Sequence, residues 1–124
     1  MNPRWFRENI CEELEGACNY IKCAIESMKT HPSWSEQFYK MAEQEQGHAT
    51  DLYKMFMDMY TDLEEPDSYM KASMEGIMEC FSKYMKKLED HKVTYEMMLK
   101  KEEKMSEMKD LERLESRVSM LTDR

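Results

Sequence analysis

The residues with chemistry to offer are a carboxylate and an imidazole three positions apart, Glu45 and His48. They lie in the stretch Ala42-Glu43-Gln44-Glu45-Gln46-Gly47-His48-Ala49. On an α-helix, residues at that spacing share a face. Phe38, Met41, Leu52, Phe56, Met59 and Leu63 extend the same face in steps of three and four. Glu45 and His48 therefore fall on the stripe expected to be buried. A buried carboxylate needs a cation, a proton or a hydrogen-bond donor. A second acid is in the same position: Phe6, Ile10, Ala17, Ala24 and Met28 mark an apolar stripe into which Glu13 and Tyr20 fit in phase. Carboxylate oxygens with an imidazole nitrogen suit iron or manganese. Glu13, Glu45 and His48 are the candidate metal ligands.

The elements that must position them are helices. The 124 residues include only three Gly and three Pro, are rich in Glu, Lys, Met and Leu, and contain no alternating β-branched run, which predicts an all-α chain. Its length fits a single helical domain over 1–124. Asn2 and Pro3 are a good N-cap and first helical residue, and the first helix is expected over about 3–29. Thr30-His31-Pro32 breaks it, and Ser33 with Glu36 reads as a capping box opening a second helix over about 34–63. So short a connection makes the two antiparallel neighbours. From the shared turn, Glu13 lies roughly 18 residues back and Glu45 to His48 roughly 13 to 16 forward. At about 1.5 Å per residue the three stand at nearly one level. Residues 1–63 are thus a candidate metal-binding hairpin.

Pro66 ends the second helix, and no Gly or Pro follows Gly76. Met74, Ile77, Phe81, Tyr84, Leu88, His91, Tyr95, Met98, Glu102 and Met105 hold a heptad register. The register shortens near Met108 and resumes as Leu111, Leu114, Val118 and Leu121. Continuous phase and the lack of turn residues favour one long helix over about 68–122, whose distal half is an oligomerisation arm, making 67–124 a second segment. A closed four-helix bundle with a turn near 90–94 is the alternative.

Glu13, Tyr20, Ala24 and Phe38, followed by the Glu45-x-x-His48 stretch, resemble the first metal-binding half of the ferritin-like superfamily, most closely its rubrerythrin branch. Glu12-Glu13-Leu14-Glu15 is also similar to the short encapsulated-ferritin proteins. The likeness spans residues 6–63. It implies a di-iron or di-manganese carboxylate site, with Glu45 as bridging ligand, Glu13 as terminal or bridging ligand and His48 as nitrogen ligand. It implies for Tyr20 the role of a redox-accessible phenol near the metal. The family repeats the motif within one chain; here Ile77 stands where the second glutamate is expected, and Glu102-x-x-Met105 lacks the histidine. The expectation is a site completed across a homodimer, each copy supplying Glu13, Glu45 and His48.

Composition narrows the remaining classes. A net charge of −8 disfavours nucleic acid and acidic membranes and favours metal ions as partners. No run approaches the roughly 18 apolar residues of a membrane span. Cys11, Cys18, Cys23 and Cys80 form no Cys-x-x-Cys pair, so all four are expected as reduced thiols of a cytoplasmic protein. The fifteen methionines follow the helical stripes and read as adaptable core packing. Two functions follow: oxidation of Fe(II) with O₂ or peroxide, or iron binding, at a di-metal site; or a metal-free helical assembly protein that keeps the hairpin.

Overall fold

A computed structural model describes residues 1–122 and contains three helices. They are α1 (Pro3–Ser27), α2 (Pro32–Thr61) and α3 (Ser68–Thr122). The α1–α2 hairpin and the single long third helix are as expected, and the turn near 90–94 is absent: helix runs unbroken through it. With 55 residues, α3 is about 80 Å long.

The helix boundaries follow local chemistry. Asn2 caps α1, its side-chain oxygen accepting from the Trp5 amide, and Pro3 occupies the first helical turn, where a missing N–H costs nothing. The start of α2 differs from expectation. It begins at Pro32, with His31 before it making no side-chain cap. Ser33 therefore lies inside the helix rather than capping it. Proline's fixed φ suits the first helical position, and His31 instead stacks on Trp34 at 3.7 Å between ring centroids.

Antiparallel packing of α1 and α2 is visible at three levels. Phe6 meets Phe56, Tyr20 meets Phe38, and Ser35 donates its hydroxyl to the carbonyl of Ala24. The fully buried line of α2 is Ser35, Ala42, Ala49 and Phe56, one residue per heptad. This corrects the stripe expected over 38–63: its Phe56 is on the seam, and its other members lie one flank away. Apolar bulk suggested the wrong centre. Small side chains at 35, 42 and 49 let the helices approach, and the larger residues beside them are only partly covered.

The third helix runs parallel to α1, as the successive links Cys11–Cys80, Glu15–Tyr84 and Lys29–Glu102 show. It also reaches α2 through two aromatic stacks, Tyr53–Phe81 at 4.2 Å and Tyr39–Tyr95 at 4.6 Å. Met74, Ile77, Cys80, Leu88 and Tyr95 are its buried residues. Beyond Glu102 every described residue is exposed. Two of the expected reduced thiols are not free: Cys11 and Cys80 form a disulfide, while Cys18 and Cys23 are unpaired. Bridging among cysteines of one helix is geometrically excluded, but parallel packing of α3 brings Cys80 to a Cα–Cα distance of 6.6 Å from Cys11.

Candidate metal centre on the hairpin

Each helix contributes to the cluster through its register on the α1–α2 seam. Glu13 is three residues beyond buried Ile10 on α1, and Glu45 three residues beyond buried Ala42 on α2. The antiparallel pairing brings both to one flank of the seam. His48 follows one turn after Glu45 on that flank. α3 occupies the other flank, where Tyr39, Gln46 and Tyr53 of α2 meet it.

Glu13, Glu45 and His48 do converge. One ligand atom from each lies within 4.8 Å of the other two. His48 Nδ1 is 3.6 Å from Glu13 Oε2, too far for a hydrogen bond and close enough for Coulomb attraction. Among the described residues this is the one set of three or more acids, cysteines and histidines with that convergence. The expected burial is corrected in part. Glu13 and Glu45 are half-buried, but His48 is exposed, with 61% of its side chain in solvent against 28% for Glu13. The reason is the displaced stripe: position 48 lies on the outer edge of the flank, away from the Ala42–Ala49 line.

Electrostatics at the cluster is dominated by the two acids. Glu45 has its carboxyl pushed up to about 7, first by proton sharing with Glu13, then by desolvation and by the negative charge of Glu13; His48 pulls it down. Two carboxylates this close cannot comfortably ionise together. When both are ionised neither has a donor to offer, and Glu13 Oε2, shut off from solvent, has no hydrogen-bond partner. A proton on Glu45 relieves that near neutral pH. So would a cation.

Gly16 leaves room for the arrangement. A Cβ there would stand 3.7 Å from Glu45 Oε2, an ordinary contact, so the glycine lets solvent or an ion approach the carboxylate without being sterically required. Tyr20 is not part of the cluster. It lies two turns further along α1, about 10 Å in rise, and stacks on Phe38 with centroids 6.3 Å apart.

The donor set fits a first-row divalent ion. Metal–oxygen and metal–nitrogen bonds of about 2.1 Å set neighbouring ligand atoms roughly 3.0–3.6 Å apart and only a trans pair at ~4.2 Å, so side chains whose atoms lie within 4.8 Å of one another must draw in by up to about 1.8 Å to share one ion. Two oxygens and one nitrogen leave at least one open coordination position. Sequence reasoning found all three residues of the cluster. It missed the Ser35-Ala42-Ala49 line that holds them, whose signal was small residues recurring at seven.

No protein-family model, no curated protein and no solved structure matches this chain.

Proposed function

We propose that the hairpin binds Fe(II) or Mn(II) through Glu13, Glu45 and His48, and that two chains related by a two-fold axis complete a di-metal carboxylate centre of the ferritin-like, rubrerythrin-like type. Its chemistry would be oxidation of Fe(II) by O₂ or peroxide, or iron binding without turnover. The observation that carries this reading is a shielded, unpartnered carboxylate oxygen, Glu13 Oε2, facing a second acid and an imidazole on a flank that the chain's own third helix leaves uncovered. A bound metal, when present, supplies Lewis acidity and electron transfer. The protein's part is to hold the ligands, to surrender the proton on Glu45 as the ion enters, and to stack Tyr20 on Phe38 along the same flank. The acidic chain favours cation entry. A compartment that supplies Fe(II) is the setting this requires; the cytoplasm, expected from four reduced thiols, loses that support with Cys11 and Cys80 bonded.

Self-association follows from the incomplete ligand set. One chain offers three donors, and the exposure of His48 is what a half-site awaiting its partner would have. Half-buried Phe38, Met41, Leu52 and Met59 beside the cluster supply apolar area for such a contact. The second reading, a metal-free helical assembly protein, draws on a different observation: α3 carries Leu111, Leu114, Val118 and Leu121, all more than half exposed, at heptad spacing on an arm whose described residues beyond Glu102 are all exposed.

Metal analysis separates the two. Protein purified in Fe(II) is expected to retain stoichiometric iron and Glu45→Ala to lose it. An unchanged, metal-free oligomer in both would support the assembly reading.

A further inference from the structure

On the opposite flank of α1 from the metal cluster, Cys11 and Cys80 tie α1 to α3. The two sulfurs do not share one environment. Cys80 is nearly buried at 8% exposure, whereas Cys11 is partly exposed. A groove of about 240 Å³ opens onto the pair, lined by Arg7, Gly76, Glu79, Lys83 and Tyr84 as well as the two cysteines. Helical spacing sets two cations beside the sulfurs, Arg7 four residues before Cys11 and Lys83 three after Cys80, against Glu79 in the same groove and Glu8, Glu12 and Glu15 on the other side of Cys11. Gly76 matters here. A Cβ at that position would stand 3.4 Å from Arg7 Nη1, close to ordinary contact, which places the guanidinium against the backbone of α3 at Gly76. The contrast lies two turns along the same helix, where Cys18 is buried and desolvation pushes its thiol up, the environment of an inert thiol.

We propose that Cys11–Cys80 is an exchangeable disulfide, a redox site at which a small dithiol attacks Cys11 from the groove lined by Arg7 and Lys83. The incoming thiolate forms a bond to Cys11 Sγ. The Cys11–Cys80 bond breaks, and its electron pair leaves on Cys80 Sγ, which takes a proton from solvent. The second thiol of the reagent, deprotonated, then displaces Cys11 from the mixed disulfide, and Cys11 is protonated in turn. The protein disulfide gains two electrons and two protons; the dithiol becomes a cyclic disulfide. The cations act at both stages, by lowering the cost of thiolate character on the leaving sulfur and by holding the attacking anion near Cys11. Reduction removes the covalent tie between α1 and α3 and leaves their packed core in place. The site is independent of the metal reading.

The test uses the oxidised full chain in native buffer with dithiothreitol, quenched by an alkylating reagent and mapped by peptide mass. The expected result is reduction of Cys11–Cys80 well ahead of global unfolding, with monothiol glutathione trapping a mixed disulfide on Cys11. In Cys80→Ser, glutathione disulfide is expected to modify Cys11 and spare Cys18. Replacing both cations, Arg7→Gln with Lys83→Gln, is expected to slow reduction by roughly threefold for each pKa unit the leaving thiol regains. Reduction only at the rate of global unfolding overturns the proposal, as does a mixed disulfide on Cys80 or Cys18, an unchanged rate in the double variant, or Cys11 and Cys80 emerging as free thiols from air-oxidised protein.

Discussion

The two flanks of α1 carry the same kind of load and resolve it differently. On the α3 flank, polar atoms find partners inside the chain: Tyr84 donates to Glu15 at 2.6 Å, Lys92 donates to Gln46 at 2.6 Å, and the aromatic stacks close the seam between them. On the α2 flank, Glu13 and Glu45 lie close to one another and to an exposed imidazole. Each flank has one shielded atom without a partner, His91 Nε2 and Glu13 Oε2. They are not equivalent. Burial pushes the His91 pKa down, so that ring stays neutral, and a neutral nitrogen tolerates isolation far better than a carboxylate does. The α3 flank is closed by contacts within the chain; the α2 flank leaves two close acids to share a proton.

The largest effect is expected in the α1–α2 core on which the cluster stands. Phe56 is fully buried and packs on Phe6. Phe56→Ala should destabilise the fold by about 3–5 kcal/mol, read in urea titrations, with metal binding lost alongside. If metal binding survived while stability collapsed, the cluster would not depend on the shared core.

Next comes a substitution confined to the open flank. Glu45→Ala should weaken Fe(II) or Mn(II) binding by at least about 100-fold, since removing a direct ligand should exceed the 10–100-fold typical of losing an outer partner. Above pH 7, where both acids are ionised, apo-protein stability should rise slightly or stay level, because the variant removes one of two repelling acids. A drop in stability would mean that the pair holds the hairpin together without metal. Calorimetric titration measures both.

The pH dependence sharpens the same contrast with a smaller amplitude. The Glu45 carboxyl has its pKa raised from 4.5 to about 7 in the folded chain. The native state therefore holds a proton that the unfolded state has released between those values. Stability from this group is complete below about pH 4.5 and lost as pH rises through 7. Apo protein should lose about 1 kcal/mol over that window, the partly exposed site being screened by solvent. Metal should remove the dependence, because the ion takes the place of the proton. Thermal melts from pH 5 to 8, with and without Mn(II), check the sign. A melting temperature that rises with pH in the apo form would contradict the shared-proton picture.

Smallest of all is Gly16→Ala. A methyl group there makes only an ordinary contact with Glu45 Oε2, and replacing a helix-interior glycine contributes up to about 1 kcal/mol of stability. Metal affinity should change by less than a few-fold. A large loss would show that the ion or its water occupies the space above Gly16.

Much of this was legible in the chain. Pro66 and the turn at His31–Pro32 marked the breaks, and the lack of Gly and Pro after Gly76, with a heptad register that shifts once near Met108, correctly indicated one long helix. Glu13, Glu45 and His48 were found by phase and by measuring from the shared turn, which needs only the helical rise. Burial was less legible. Bulk drew attention to Met41 and Leu52, yet helices approach where side chains are smallest, at Ser35, Ala42 and Ala49, so the true seam was offset and His48 came out exposed. The Cys11–Cys80 link was illegible for another reason. It depends on which side of α1 the third helix takes and in which direction, and no local pattern in either helix encodes that.

Mass in solution, followed with and without Fe(II) and with iron counted per chain, bears most directly on the shared-site account. It predicts that Fe(II) shifts the chain toward a dimer holding about one ion per chain, and that Glu45→Ala abolishes the shift. A chain that stays strictly monomeric while binding two irons tightly, or whose association ignores iron altogether, would contradict it.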